Sequence, residues 1–138
     1  MRIITFGTFD LFHIGHLRIL ERAKALGHHL TVGVSSDALN FRKKNIYPVY
    51  PQDQRMDIVH AMRLVDRVFL EESLEQKRQY ILDHQADMLV MGDDWAGRFD
   101  EFADICEVRY LERTPSISTT LIKTEIVLSG QARQSVSA

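Results

Sequence analysis

The chain has 138 residues, 45% of them hydrophobic and 26% charged, and its formal net charge at pH 7 is −2. This length predicts one compact domain, and the near-neutral charge excludes a general attraction to nucleic acid or to a membrane surface. The one cysteine, Cys106, excludes an intramolecular disulfide framework. Neither a signal-type segment nor an apolar run of membrane-spanning length is evident, so we expect a cytoplasmic protein.

Short apolar runs rich in β-branched residues alternate along the chain with longer segments of helical period. Five of these runs are predicted strands, namely RIITF, LTVGVS, RVFL, MLVMG and VRYL. The predicted helices extend from near His13 to near Leu26, from Pro51 to about Leu64, from Ser73 to about His84, and from Ser118 through STTLIKTEIVL. Gly27 follows the first helix at the C′ position, which glycine favours.

This alternation predicts an α/β fold with a doubly wound parallel sheet and helices on both faces. We expect one domain over residues 1–128, followed by a polar tail at 129–138 that lacks periodicity. In such a sheet, ligands bind beyond the carboxyl ends of the strands. The polar segments that follow strands there are GTFDLFHIGH, SSD, GDDW and RTPSISTT, and we expect them to line one crevice.

The segment GTFDLFHIGH places His13 and His16 three residues apart at a helix start. The two histidines could be partly buried core residues, could bind a metal with Asp10, or could donate to a phosphate at the positive end of the helix. The chain lacks the HExxH arrangement, the P-loop motif and the GxGxxG dinucleotide pattern. Because Gly15 leaves room for an approaching phosphate, the phosphate interpretation explains more of the segment than the others.

Two motifs together carry a family resemblance. GTFDLFHIGH matches the GTFDxxHxGH signature of the cytidylyltransferases within the HxGH nucleotidyltransferases, and RTPSISTT resembles their RTxGISTT motif. The resemblance extends through ERAKALG, MGDDW followed by GRFD, and the final helix, and it is strongest to bacterial glycerol-3-phosphate cytidylyltransferases. It implies a homodimeric Rossmann-like enzyme that uses a divalent cation, usually Mg²⁺. Such enzymes transfer CMP from CTP to glycerol 3-phosphate, giving CDP-glycerol and pyrophosphate, for teichoic acid or capsule synthesis.

The resemblance also implies roles for individual residues. The implied catalytic set is His13, His16, Lys43 and Arg113, with the histidines donating to phosphate oxygens, most strongly if protonated. The implied nucleotide-binding residues are Thr8, Phe9, His13, His16, Asp94, Arg113, Thr114, Ile117, Ser118, Thr119 and Thr120. The residues assigned to acceptor binding are Lys43, Lys44, Arg55, Arg63 and Lys77. Asp10 is a candidate to hold magnesium through water or to orient a histidine.

The chain departs from the family pattern near the expected acceptor site. Asn45 stands where the family has a second lysine, Ser116 replaces a glycine, and NIYPVYPQ carries one extra residue. The sequence therefore leaves open a sister transferase with another base or acceptor, such as ethanolamine phosphate, a heptose phosphate, another capsule precursor, or FMN with ATP. A regulatory module that binds nucleotide without catalysis is a third hypothesis. All three imply a nucleotide as partner, and none involves nucleic acid or a membrane.

Overall fold

The computed structural model describes residues 1–112 together with Lys123, Ile126 and Val127. Five parallel strands form one sheet in the order β3-β2-β1-β4-β5. The strands are β1 (Arg2–Gly7), β2 (His29–Ser35), β3 (Arg67–Glu71), β4 (Met88–Gly92) and β5 (Glu107–Leu111). Each predicted strand is confirmed to within one residue at either end.

Four α-helices connect the strands. They are α1 (Ile14–Lys24), α2 (Asp37–Lys44), α3 (Gln52–His60) and α4 (Lys77–Asp83). Two 3₁₀ turns, Asp93–Trp95 and Asp100–Asp104, lie between β4 and β5. Within the described part of the chain, no helix is long and apolar enough to cross a membrane.

The sheet is covered on both faces, which confirms the doubly wound α/β prediction. On one face, Leu20 of α1 and Val59 of α3 pack in a cluster that includes Ile3 and Val90. On the other face, Ile81 of α4 packs in a second cluster with the neighbouring strand residues Ile4 and Leu89 and with Phe102 of the second 3₁₀ turn. Successive strand side chains point to opposite faces, and a strand buried on both faces therefore reads as a continuous apolar run.

The boundaries of α1 differ slightly from the prediction. His13 is the N-cap rather than the first helical residue, and Ala25 is the C-cap. Gly27 does not adopt the left-handed conformation of a C′ glycine; Gly97 is the one described glycine with φ in that region. A Cβ at Gly27 would instead collide with the Met1 carbonyl oxygen, so this glycine permits the close approach of the chain to its own first residue.

The segment after β2 is a helix, α2, which the sequence interpretation missed. Ser36 caps it by accepting a 3.0 Å hydrogen bond from the Leu39 N–H. Asn45 ends it in the left-handed conformation at φ 57°, with its N–H donating to Phe41 O. Asparagine tolerates this conformation better than lysine, so the departure from the family pattern at Asn45 fits the end of a helix.

The remaining predicted helices begin or end elsewhere. Pro51 is the N-cap of α3, which ends at His60 rather than near Leu64. The fourth helix, α4, begins at Lys77, because the Ser73 hydroxyl bonds the neighbouring Glu75 instead of capping a helix. The helix predicted from Ser118 lies outside the described residues except for Lys123, Ile126 and Val127, which are helical, and the tail 129–138 lies wholly outside them.

Candidate active site

A cleft of about 860 Å³ opens beyond the carboxyl ends of β1, β2, β3 and β4. Its lining includes the predicted residues Thr8, Phe9, Asp10, His13, His16, Lys43, Lys44, Lys77 and Asp94. Arg55 and Arg63 do not line it. The predicted residues Arg113, Thr114, Ile117, Ser118, Thr119 and Thr120, together with Ser116, lie outside the described part of the chain.

The turn from β1 to α1 is shaped by the ring of Phe9. Phe9 and Leu11 adopt positive φ angles of 54° and 48°. A Cβ at Gly7 would lie 2.8 Å from the Phe9 ring, so only glycine leaves room for that ring to fold back. The buried Phe9 ring packs edge-on against His16, with centroids 5.4 Å apart. Phe9 therefore packs against the His16 ring and restricts its orientation.

The two histidines form the N-terminal cap of α1. His13 Nδ1 accepts a 3.0 Å hydrogen bond from Gly15 N–H, and His16 Nδ1 accepts a 3.2 Å bond from His13 N–H. Their rings are stacked, with centroids 3.8 Å apart and an interplanar angle of 22°. Because each Nδ1 accepts an amide proton, this hydrogen-bond network assigns the ring proton of the neutral imidazole to Nε2. Both residues therefore carry an Nε2–H donor at the cleft.

His16 is neutral at physiological pH. Burial, followed by the proximity of His13, lowers its pKa from 6.5 to about 3, and the nearby Asp10 charge only partly opposes this. The stronger donation expected of a protonated ring therefore does not apply to His16 at this pH. It acts as a neutral hydrogen-bond donor.

Asp10 connects the segment after α2 to the β1–α1 turn through hydrogen bonds to its carboxylate. Its Oδ2 accepts a 2.7 Å bond from Val49 N–H, and its Oδ1 accepts from Tyr50 N–H at 2.9 Å and from Leu11 N–H at 3.1 Å. The carboxylate is 5% exposed. Both oxygens thus accept backbone amide bonds, and a role for Asp10 in holding magnesium through water stays a prediction. Within the described ranges, no three His, Cys, Asp or Glu side chains form a group that could hold a metal ion.

Arg55 is a buried structural residue rather than an acceptor contact. Its side chain is 0% exposed. The guanidinium donates to three backbone carbonyls, those of Thr8, Ser35 and Tyr50, and Nη2 lies 2.7 Å from Asp37 Oδ1. These bonds tie the ends of β1 and β2 to the start of α3. With its donors directed at the protein, Arg55 does not face the cleft.

Arg63 also lies away from the cleft. It is exposed in the turn between α3 and β3 rather than on the predicted helix. This turn precedes the amino end of β3, at the opposite edge of the sheet from the cleft. The structure therefore gives Arg63 no contact with an acceptor bound in the same chain's cleft.

Two lysines approach the floor of the cleft from different helices. Lys43 Nζ lies 3.2 Å from Ser35 Oγ, and Lys77 Nζ lies 2.7 Å from Glu71 Oε2. Burial lowers the pKa of both lysines, and the charge of Glu71 acts in the opposite direction on both. Lys44 is exposed at the rim.

The cleft contains further residues, some of them predicted site residues and some without a predicted role. Asp94 lies exposed in the 3₁₀ turn after β4, and Thr8 Oγ1 donates to Asn40 Oδ1 at 2.9 Å. Arg22 of α1 donates to Glu112 O, just after β5. Ser35 belongs to the predicted SSD segment, and it lines the cleft together with Arg22 and Lys123. Asn40 and Glu71 line it without any motif that marks them.

Comparison with known proteins gives consistent matches over most of the chain. A family model described as Cytidylyltransferase-like matches residues 4–125. The chain is 52% identical over 126 residues to the glycerol-3-phosphate cytidylyltransferase of Bacillus subtilis strain 168, covering 91% of this chain and 96% of that protein. It is 44% identical to the Staphylococcus aureus NCTC 8325 protein of the same name, covering 91% of this chain and 94% of the relative.

More distant matches share a domain or the fold. The chain is 39% identical to the bifunctional protein HldE of Yersinia enterocolitica, with 87% of this chain matching 26% of that protein. A crystal structure of the lipopolysaccharide core biosynthesis protein from Thermoplasma volcanium GSS1 superposes with a TM-score of 0.70 at 20% identity, covering 83% of this chain and 98% of the other. This likeness supports the arrangement of strands and helices and nothing finer.

Proposed function

Because this chain belongs to the cytidylyltransferase-like family, we propose that it transfers CMP from CTP to glycerol 3-phosphate, forming CDP-glycerol and pyrophosphate. The observation that carries the mechanism is the stacked pair of histidine donors, of which His16 is neutral, in one cleft with two lysines. The choice of acceptor and base is supported by relatives that match over nearly their full length.

The reaction is an in-line displacement at the α-phosphorus of CTP. A phosphate oxygen of glycerol 3-phosphate forms the new bond, the bond from the α-phosphorus to the bridging oxygen breaks, and pyrophosphate leaves with that electron pair. Both reactants are anions, so the protein's task is to position them and to offset the negative charge that builds on the transferring group. No side-chain nucleophile takes part in this route.

The two histidines donate hydrogen bonds to the triphosphate of CTP. With Nδ1 held by backbone amides, each ring is fixed in orientation and presents Nε2–H as a donor toward the cleft. A preorganised donor of this kind contributes on the order of 3 kcal/mol to transition-state stabilisation. Because His16 donates as a neutral ring, its contribution does not require the imidazolium form at pH 7.

Lys43 and Lys77 bind the phosphate of the acceptor. Lys43 and Lys77 reach the cleft from α2 and α4, so the phosphate of the acceptor is attracted to the floor while the triphosphate lies over the helix cap. Ammonium groups bind phosphate as point charges and leave the attacking oxygen accessible.

A divalent cation is part of the proposal, with Mg²⁺ as the expected ion. The described side chains form no metal-ligand group, and Asp10 is occupied by amides, so these residues fit an ion held chiefly by the substrate phosphates and water. When bound, such an ion would neutralise charge on the triphosphate. We also propose a homodimer in the cytoplasm and a product used for teichoic acid or capsule synthesis.

Pyrophosphate release tests the proposal. CTP, ATP, GTP and UTP are each combined with glycerol 3-phosphate, ethanolamine phosphate, a heptose phosphate and FMN. We expect release with CTP and glycerol 3-phosphate at a rate far above every other pair. Faster release with a different pair would assign the protein to a sister activity. Binding of CTP without release for any acceptor would support the regulatory module.

A further inference from the structure

The floor of the cleft contains a continuous chain of polar contacts, the cleft-floor chain, formed by Lys43, Ser35, Glu71 and Lys77. Glu71 is the last residue of β3 and is 1% exposed. Its Oε2 lies 2.7 Å from Lys77 Nζ, and its Oε1 accepts a 3.1 Å hydrogen bond from Ser35 Oγ. Ser35 Oγ in turn accepts from Lys43 Nζ at 3.2 Å. Two lysines on different helices are thus connected through one carboxylate.

The chemistry of each group decides which atom donates and which accepts in the cleft-floor chain. A lysine ammonium can only donate, so the Ser35 oxygen must accept from Lys43 and has its single proton left for Glu71. Glu71 therefore accepts from Ser35 at Oε1, while its Oε2 forms the ion pair with Lys77. The contacts join α2, β2, β3 and α4 at one point below the cleft.

A buried carboxylate in an anion-binding site needs an explanation, because it repels phosphate. Lys77 is 4% exposed, and its Nζ lies 3.8 Å from the centroid of the Phe6 ring, so little water solvates its charge. Burial favours the neutral amine and lowers the pKa of Lys77, while Glu71 favours the ammonium. Lys43 is affected in the same way, and the charges of Lys77, Lys44 and Arg55 lower its pKa further. Among the described residues, Glu71 is the buried carboxylate whose charge acts on both lysines.

We propose that Glu71 is a positioning residue for the acceptor: it holds Lys77 directly, and Lys43 through Ser35, oriented and charged before the acceptor phosphate arrives. This inference rests on the proposed transfer to a phosphorylated acceptor. Glu71 does not touch the substrate and acts through the lysines. One negative charge shared by two ammonium groups leaves the floor with a net positive charge for the incoming phosphate.

The kinetic test compares Glu71→Gln with Glu72→Gln, which removes the same charge from an exposed neighbour. Glu71→Gln is expected to raise the KM for glycerol 3-phosphate at least about tenfold with little change in the KM for CTP, since it uncouples a buried charge pair. In a Lys77→Met background the same substitution should raise the acceptor KM less, by no more than the severalfold effect of losing the connection to Lys43, because the direct ion pair with Lys77 is already gone. Unchanged acceptor KM in Glu71→Gln, or equal effects in both backgrounds, would overturn the proposal.

A second measurement needs no substrate. The Lys77 side-chain resonance of ¹³C-lysine-labelled protein, identified by its absence in Lys77→Met, is titrated with pH in the wild type, Glu71→Gln and Glu72→Gln. The Lys77 pKa should be lower in Glu71→Gln than in the other two proteins, and equal values would overturn the proposal. If the wild type makes no CDP-glycerol, the proposed function fails while this titration still decides the role of Glu71.

A further variant covers the case in which Glu71→Gln does not fold. Ser35→Ala keeps the Glu71–Lys77 ion pair and removes only the connection to Lys43. It should raise the acceptor KM severalfold and leave the Lys77 titration near that of the wild type. An unchanged acceptor KM in this variant would contradict the cleft-floor chain as a unit.

Discussion

Replacing Arg55 by methionine distinguishes a structural arginine from an acceptor-binding one. The substitution keeps an unbranched side chain but removes the donors that bond Thr8, Ser35 and Tyr50 carbonyls and the charge beside Asp37. Each buried acceptor left unpaired costs about 1–3 kcal/mol, and breaking a buried ion pair costs about 3–5 kcal/mol. The Asp37 side chain is 32% exposed and regains water, which reduces the second cost. The bonds to Thr8 and Tyr50 are only partly buried, so those carbonyls also regain water, and the Ser35 carbonyl is the one left fully buried. We expect a total loss of about 3–5 kcal/mol.

Such a loss is a large part of the roughly 5–15 kcal/mol that stabilises a domain, and it lowers Tm by more than about 10 °C. The assay is urea denaturation followed by circular dichroism for the wild type, Arg55→Met and Arg63→Met. Arg63 is exposed, so its variant should stay within about 0.5 kcal/mol of the wild type. An Arg55→Met protein of normal stability with a strongly raised acceptor KM would refute the structural role and restore the family-based assignment.

Three further predictions concern the histidines, pH and the cation. His16→Ala should lower kcat about 100- to 1000-fold in a pyrophosphate-release assay while the protein stays folded, and His13→Ala should also destabilise α1 by about 1 kcal/mol because it removes the N-cap. Since burial lowers the pKa of His16 from 6.5 to about 3, the stability that depends on its neutral form is complete above pH 6.5 and is lost as the pH falls toward 3. The urea midpoint of the wild type should therefore fall more between pH 7 and pH 5 than that of His16→Phe; equal falls would contradict the shift. EDTA should abolish turnover and Mg²⁺ restore it, with no zinc retained by the dialysed protein; activity that persists in EDTA would contradict the cation proposal.

The strands of the sheet could be predicted because each one is marked by the hydrophobicity of its own residues. Strands buried on both faces are continuous apolar runs, and the loops that follow them are where a doubly wound sheet binds ligands. The first helix was also found from GTFDLFHIGH. Its cap was not foreseen, because the hydrogen bonds from Gly15 and His13 to imidazole Nδ1 atoms depend on ring orientation, which a motif does not encode.

The prediction failed where a residue's role depends on distant partners. The motif match placed Arg55 at the acceptor, but its carbonyl partners come from residues 8, 35 and 50, which meet only in the folded chain. The helix α2 was missed because DALNFRKK is short and strongly polar, and its ends are set by Ser36 and Asn45. Glu71 carries no motif, and its importance follows only from its contacts with Ser35 and Lys77.

We propose that this cleft transfers CMP with a histidine pair whose Nδ1 atoms accept amide bonds and in which His16 acts as a neutral donor. The most direct test is the rate of CDP-glycerol formation from CTP and glycerol 3-phosphate at saturating substrate between pH 5.5 and pH 7.5. We expect kcat to hold steady or to rise as the pH increases through 6.5. A kcat that falls with increasing pH in proportion to the protonated fraction of an ordinary histidine would contradict it.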